Sequence, residues 1–366
     1  MKTLILHVGM HKTGSTSIQR SLEGFDRGLI RYLDLGSSNH SGPVHTIFSE
    51  QSNDYPAHRR SGKSRHAIAQ MASHHRAQMI RELSLPRQRF IISGEGISAL
   101  SPAGVRALAQ FLKQYVDRIQ VIGYVRDPVG YANSAFQQRV KDGQAEISVP
   151  RPNYRNRFRK FFDVFGRENV ELIQFNPSAF ENRSVVRDFC NRAGIPADNV
   201  REKRANESLS DLAIRLILQI NQQAAARGQS FGLLAERDQW GRDIAEAFPG
   251  DAYRLPEHLI LQELDQADIS WLAEAAHVDF GLAMEKTHAS ITAEQVGRRL
   301  DEFSESERAS LKAFLEHRGI QVEATQPVPE MIACLLASAS SVGRSLSGAT
   351  TLSVAERFRR RLRRWL

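Results

Sequence analysis

Cysteine is nearly absent from this 366-residue chain, which holds only Cys190 and Cys334. Both fall in apolar helical patterns, which excludes a disulfide scaffold and points to a reducing compartment. Long apolar runs are missing too. The longest candidate, 331–339, falls short of the ~18–20 residues a membrane-spanning helix needs, and it breaks into serine and glycine. The histidines show no metal-ligand spacing, and the adjacent His74 and His75 would point to different faces of a helix, so no metal is expected. No internal repeat and no nucleic-acid-binding motif is present. The chain enters its first apolar run at Leu4, which leaves no room for a leader peptide. These absences lead us to expect a cytoplasmic protein without a nucleic-acid partner.

What is present is ordinary in bulk and unusual in distribution. Hydrophobic residues make up 41% and charged residues 25%, enough for a sizeable core. The 49 basic residues outnumber the 41 acidic ones, for a net charge of +8. Much of the excess is local: 357–366, RFRRRLRRWL, carries six arginines and no acid. Wound as a helix, this stretch would set Phe358, Leu362 and Trp365 on one face with arginines around it. Such a segment, over 355–366, suits an anionic membrane surface at the inner face, and a solvated basic tail accounts for it equally well. A second basic run, 58–65, would attract an acidic partner or stay a solvated loop.

Apolar and turn patterns predict strands at 4–8, 89–93, 119–125 and 170–175, alternating with helices at 15–24, 66–82, 102–115, 129–140, 157–165 and 178–193. The Gly-, Ser- and His-rich stretch 36–66 reads as a long loop. Strands alternating with helices imply a parallel sheet covered on both faces, with the strand C-terminal ends along one edge. From 208 onward the pattern is mainly helical, clearest at 208–227, 256–276 and 304–318, where Ser304 and Glu307 form a capping-box pair.

Two stretches carry chemistry. In 4–19, LILHVGMHKTGSTSIQ, a strand run breaks into a loop holding Gly9, His11, Lys12, Thr13, Gly14, Ser15, Thr16 and Ser17 and then enters a helix. Glycines let backbone N–H groups turn toward an anion, the helix presents its positive end, and Lys12 adds a point charge. A Walker A loop places lysine after its second glycine, whereas Lys12 precedes Gly14. In 121–138, VIGYVRDPVGYANSAFQQ, a second strand run ends at Arg126-Asp127-Pro128, and Ser134 follows eight residues after Arg126. A guanidinium fork at a strand end suits a phosphate that is always charged.

The order K-T-G-S-T resembles the 5′-phosphosulfate loop of sulfotransferases that use 3′-phosphoadenosine 5′-phosphosulfate (PAPS), and Arg126 with Ser134 is similar to that family's 3′-phosphate pair. The segment 165–195 resembles the family's late strand and helix, and Asn206-Glu207-Ser208-Leu209-Ser210 a phrase of its bacterial members. The resemblance implies a P-loop-like three-layer α/β fold with a central parallel sheet, plus a mainly helical C-terminal region. It implies a domain over 1–285, with a nucleotide-binding core over 1–210 and a helical continuation over 211–285. A helical extension over 286–366 would follow. It further implies sulfuryl transfer from PAPS to a hydroxyl of a carbohydrate or glycolipid, leaving adenosine 3′,5′-bisphosphate (PAP). Lys12 would stabilise the departing phosphate. The loop residues Gly9 to Ser17, His11 included, would bind the 5′ end, and Arg126 and Ser134 the 3′-phosphate. Glu95, directly after the strand 89–93, is the first choice for the base, and His45 the second. A helix-capping role for Glu95 and a surface role for His45 stand beside these readings. A nucleotide or small-molecule kinase and a non-enzymatic membrane-associated binding protein remain the alternatives.

Overall fold

The computed structural model describes residues 1–203, 208–228, 237–282 and 292–347. Asn206 and the arginine tail 355–366 lie outside the described residues. The chain forms two compact units: Met1–Phe136, Val149–Ser208 and Leu255–Ile291 make the first, and Gln137–Ser148, Leu209–Arg254 and Thr292–Leu366 the second.

The first unit is a three-layer α/β fold. In chain order it holds β1 (Thr3–His7), α1 (Ser15–Leu22), β2 (Asp26–Arg27), β3 (Ile30–Tyr32), α2 (Ser41–Phe48), α3 (Pro56–Arg60), α4 (Arg65–Leu83) and β4 (Arg89–Ser93). There follow α5 (Pro102–Leu112), β5 (Arg118–Val125), α6 (Pro128–Lys141, of which the residues up to Phe136 belong to this unit), α7 (Tyr154–Phe165), β6 (Val170–Gln174) and α8 (Val185–Ala193). The sheet runs β2-β3-β4-β1-β5-β6, parallel throughout except for the antiparallel β2–β3 pair at one edge. Parallel strands are buried on both faces and therefore read as continuous apolar runs. Strand alternation then sorts their side chains. Leu4, Leu6, Phe90, Ile92, Val121 and Val125 face the layer that contains α5 and α7, where Phe158 and Phe161 are fully buried. Ile5, Ile91, Ile122 and Tyr124 face α1 and α8, against Ile18, Leu22 and Phe189. Each such side chain contributes roughly 1.5–3 kcal/mol on burial.

Several expected boundaries moved for identifiable reasons. The stretch 36–66 is not one long loop: α2 and α3 lie within it, and Pro43 is tolerated because it sits in the first turn of α2. The helix expected from 178 begins only at Val185, after two 3-10 turns and left-handed residues at Asn182 and Arg183. The helix expected over 256–276 is two, α11 (Glu257–Gln262) and α12 (Gln266–Ala276), with Asp265 capping the second. The strand expected over 4–8 ends at His7, where the backbone turns into the glycine-bounded loop.

The second unit is helical among its described residues. Before α11 come α9 (Asp211–Ala226) and α10 (Arg237–Ala247); after α12 come α13 (Ala293–Asp301), α14 (Glu305–Glu316) and α15 (Val328–Ser347). The capping box at Ser304 and Glu307 is formed. Arg215, buried in α9, pairs with Asp211 at 2.7 Å and with Glu307. Among the described residues no helix is long and apolar enough to cross a membrane. Both cysteines are free thiols.

Candidate functional site

β4, β1 and β5 are neighbours, and each releases one of the predicted site segments from its C-terminal end: Glu95 after β4, the glycine-bounded loop after β1 and Arg126 after β5. In a parallel sheet these ends share one rim, where open α/β folds bind ligands. The loop starts as a continuation of the ladder. Val8 and Met10 donate N–H bonds to the Ile122 and Tyr124 carbonyls at 3.0 and 2.8 Å, and Gly9 accepts one from Tyr124 at 2.6 Å. The chain then turns through positive φ at Gly9 (87°), Lys12 (69°) and Gly14 (73°). Thr13 and Ser15 are buried, and their hydroxyls both donate to the Met10 carbonyl, at 2.7 and 3.1 Å, so they brace the loop from inside. Thr16 and Ser17 are half-buried. Gly14 is the N-cap of α1 and provides no side-chain bond. No side chain therefore covers the positive end of the α1 dipole, while the Ser17 amide already turns back to the Gly14 carbonyl at 2.9 Å.

Gly9 touches the next segment directly. A Cβ there would lie 2.6 Å from Glu95 Cα and 2.7 Å from Glu95 Cβ, besides the left-handed φ. Gly24 has a similar φ of 73° but open space around it. Gly9→Ala should therefore lower stability by about 2–4 kcal/mol, combining backbone strain and overpacking, while Gly24→Ala should lose only about 1 kcal/mol. Urea titration of both variants at constant m checks the difference.

Glu95 opens a 3-10 turn, Glu95–Ala99, and is held from two sides. Gln19 on α1 donates to one carboxylate oxygen at 2.6 Å, and Asn39 donates to the other at 3.1 Å. Gly94 and Gly96 flank it because α2 packs there: a Cβ on Gly94 would lie 2.6 Å from the Ser41 amide nitrogen, and one on Gly96 2.9 Å from Ser41 Cβ. One turn along α2, His45 is buried and stacks on Tyr55 at 4.7 Å. Its Nε2 donates to the Gly96 carbonyl at 2.7 Å, and burial pushes its pKa below the usual histidine value. His45 is thus a helix residue that supports the Glu95 turn, where the sequence pattern suggested a loop histidine.

His11 reaches solvent yet is surrounded closely enough by protein that desolvation lowers its pKa, with Arg157 adding to the effect and Glu95 opposing it. Arg126 donates through Nη1 to the Lys12 carbonyl at 2.9 Å and lies over the Phe175 ring at 5.7 Å. Its Nε is 2.8 Å from where a Gly130 Cβ would be. The arginine thus runs along the face of α6 that carries Gly130, and Ser134, four residues on, shares that face. Asp127 caps the start of α6 by accepting the Gly130 N–H at 2.6 Å.

Sequence reasoning missed Gln19, Asn39 and Arg157. Arg157 on α7 bonds the Pro152 carbonyl (2.8 Å), Tyr131 Oη (3.2 Å) and Ser98 Oγ (3.4 Å), tying the Glu95–Ala99 turn to α6. Nearby, Lys160 donates to the Ser98 and Asn156 carbonyls at 2.8 and 3.0 Å. Burial, with the Arg157 charge, pushes its pKa down to about 8. The only sequence signal for Arg157 was its place in an arginine-rich connection. His7, also missed, is buried at the end of β1 with Nδ1 2.7 Å from Ser93 Oγ, and burial pushes its pKa down to about 4. Among the described residues no group of three His, Cys, Asp or Glu side chains could hold a metal ion.

No protein-family model matches the chain, and no curated protein matches it significantly. Among solved structures, a crystal structure of a sulfotransferase from Alicyclobacillus acidocaldarius is similar with 18% identity and a TM-score of 0.37. It covers 66% of this chain and 99% of that one. A likeness this remote carries no argument about activity, which has to come from the residues themselves.

Proposed function

We propose that this protein is a PAPS-dependent sulfotransferase acting on an acceptor hydroxyl of a carbohydrate or glycolipid. The observation that carries the reading is the convergence at one rim of an uncapped helix N-terminus behind Lys12-Thr13-Gly14, a carboxylate fixed from two sides and an arginine backed by the Ser134 face of α6. The donor set fits a ligand with two separated phosphates: amides and Lys12 at one, Arg126 and Ser134 at the other.

PAPS supplies a sulfuryl group on a phosphate leaving group. As the acceptor oxygen bonds to sulfur, the bridging oxygen–sulfur bond breaks, its electron pair leaves on the phosphate of PAP, and the hydroxyl proton passes to a base. Lys12 and the amides at the start of α1 stabilise the charge that grows on the bridging oxygen. Glu95 takes the proton, and Gln19 and Asn39 keep its carboxylate aimed. His11, kept neutral by its surroundings, orients the reacting groups. His45 positions Glu95 through the Gly96 carbonyl. A kinase reading is disfavoured because no lysine follows Gly14.

The test is calorimetric binding of PAP, AMP and ATP with and without Mg²⁺. PAP is expected to bind without magnesium and more tightly than AMP. Arg126→Ala should weaken PAP by about tenfold to a hundredfold, the worth of charge-assisted hydrogen bonds to one phosphate. AMP, which lacks the 3′-phosphate, should lose much less. ATP binding that requires Mg²⁺, with no response to PAP, would replace this reading with a kinase.

A further inference from the structure

His40 occupies the N-cap position of α2, where Ser, Thr, Asp or Asn would accept a bond from the first helical amides, yet its side chain caps nothing. The ring is fully buried, packs on Tyr32 with the centroids 4.7 Å apart, and turns toward β4. There it does the work of a missing strand residue. β3 pairs with β4 only as far as Tyr32 opposite Ile91, so Ser93 has no β3 residue beside it. His40 fills that position: its N–H donates to the Ser93 carbonyl at 2.9 Å, and its Nδ1 accepts the Ser93 N–H at 3.1 Å.

An amide can only donate, so Nδ1 carries the lone pair and the ring hydrogen is on Nε2. That second nitrogen is buried near the Leu33 backbone without forming a hydrogen bond. Burial, opposed by the Leu33 backbone and the Asp34 charge, pushes the His40 pKa down to about 4, so the ring is neutral and its lone pair available at ordinary pH. A phenylalanine would fill this space without an orphaned N–H, and a serine would cap the helix. Histidine does neither, and what it provides instead is the bond to Ser93. That bond stands in the middle of a grip on the Glu95 turn. On one side, His7 Nδ1 is 2.7 Å from Ser93 Oγ, and the Gly94 N–H donates to the His7 carbonyl at 3.0 Å. On the other, Asn39 donates to Glu95 Oε1 at 3.1 Å and accepts the Ser41 N–H at 2.9 Å, while Ser41 Oγ accepts the Gly96 N–H at 2.9 Å. Residues 39, 40 and 41 thus meet Glu95, Ser93 and Gly96 respectively.

We infer that His40 is a positioning residue for the Glu95 carboxylate: it locks residues 39–41 to the end of β4, so that Asn39 meets Glu95 at one fixed angle. The inference rests on the sulfotransferase reading, in which Glu95 is the base. His40 touches no reacting atom and acts through Ser93 and Asn39. Loosening it therefore costs the chemical step, where a small misplacement of a reacting group is expensive, and leaves donor binding alone.

Two variants test this by different losses. His40→Phe keeps a ring against Tyr32 and removes the Nδ1 acceptor, whereas His40→Ser gives α2 a side-chain cap and removes the ring. Leu83→Ala is the stability control: Leu83 is fully buried at the end of α4, where its carbonyl receives Lys2 Nζ at 3.0 Å, at the start of β1 and not at the rim. For each protein, kcat and KM with PAPS, PAP affinity by calorimetry, the urea midpoint and amide exchange over 93–97 by mass spectrometry are measured. Both His40 variants should lose about tenfold to a hundredfold in kcat, with KM for PAPS and PAP affinity within about twofold of wild type. Exchange over 93–97 should quicken by at least about tenfold in both. Leu83→Ala should lower the urea midpoint and leave the kcat of the folded enzyme unchanged. Wild-type kcat in a folded His40 variant, a fall in PAP affinity in step with kcat, or unchanged exchange over 93–97 would overturn the assignment. Should one His40 variant not fold, the other decides. Wild-type protein that neither binds PAP nor turns over PAPS would instead overturn the donor reading, and the exchange measurement would still decide whether His40 orders the Glu95 turn.

Discussion

Lys12→Ala is expected to reduce kcat by about a thousandfold or more while PAP binding weakens far less. The reason is when the charge matters. On the proposed reading the amides at the start of α1 would also hold the donor phosphate in the ground state, and the substitution leaves that helix end in place. In the transition state extra negative charge develops on the bridging oxygen, and removing one preorganised donor from such a position costs about 10²–10³ in rate. A full positive charge at a partly desolvated site contributes at least as much. The Lys12 carbonyl that receives Arg126 belongs to the backbone and survives the change. Single-turnover kinetics with saturating PAPS would separate this from a folding defect. Wild-type kcat in the purified variant would remove Lys12 from the mechanism.

Glu95→Gln carries the second large effect. Glutamine preserves shape and one oxygen but cannot take a proton, so general-base assistance of about 10²–10⁴ should be lost from kcat. The change also confronts Gln19 or Asn39 with an amide donor where each now meets a carboxylate oxygen. Gln19→Leu supplies the needed contrast. It should lower the rate by only about tenfold by freeing the carboxylate, and it leaves the base chemically competent. A Glu95→Gln enzyme with near-normal kcat would leave His11 as the remaining proton acceptor, and its pH–rate profile should then show a limb below the ordinary histidine range.

The central sheet was legible because burial on both faces writes itself into β1, β4 and β5 as runs dominated by Val, Ile, Leu and aromatic residues. β2 and β3 were not legible: two and three residues at an edge carry no periodicity. The stretch around His45 was misread for a different reason. Its helix α2, SGPVHTIF, opens on Ser, Gly and Pro and continues with β-branched residues, all of modest or poor intrinsic propensity, and it packs against Gly94 and Gly96. The same asymmetry holds for the candidate site. Gly9, Lys12, Gly14, Arg126 and Ser134 announce themselves by spacing within single strand-to-helix junctions. Gln19, Asn39 and Arg157 act across elements, and nothing local in the chain marks a side chain whose partner is in another segment.

The position of β1 also governs when such a site can exist. It is paired with β4 on one side and β5 on the other, so Leu4 meets Phe90 and Ile119, both far along the chain. Pairings of that sequence separation close large loops before any contact rewards them, and chains dominated by them fold slowly. Glu95, the Lys12 loop and Arg126 therefore come together only when the middle of the sheet is complete. During refolding, the gain of PAP affinity would be a clock for closure of the three central strands, and helix content would rise ahead of it.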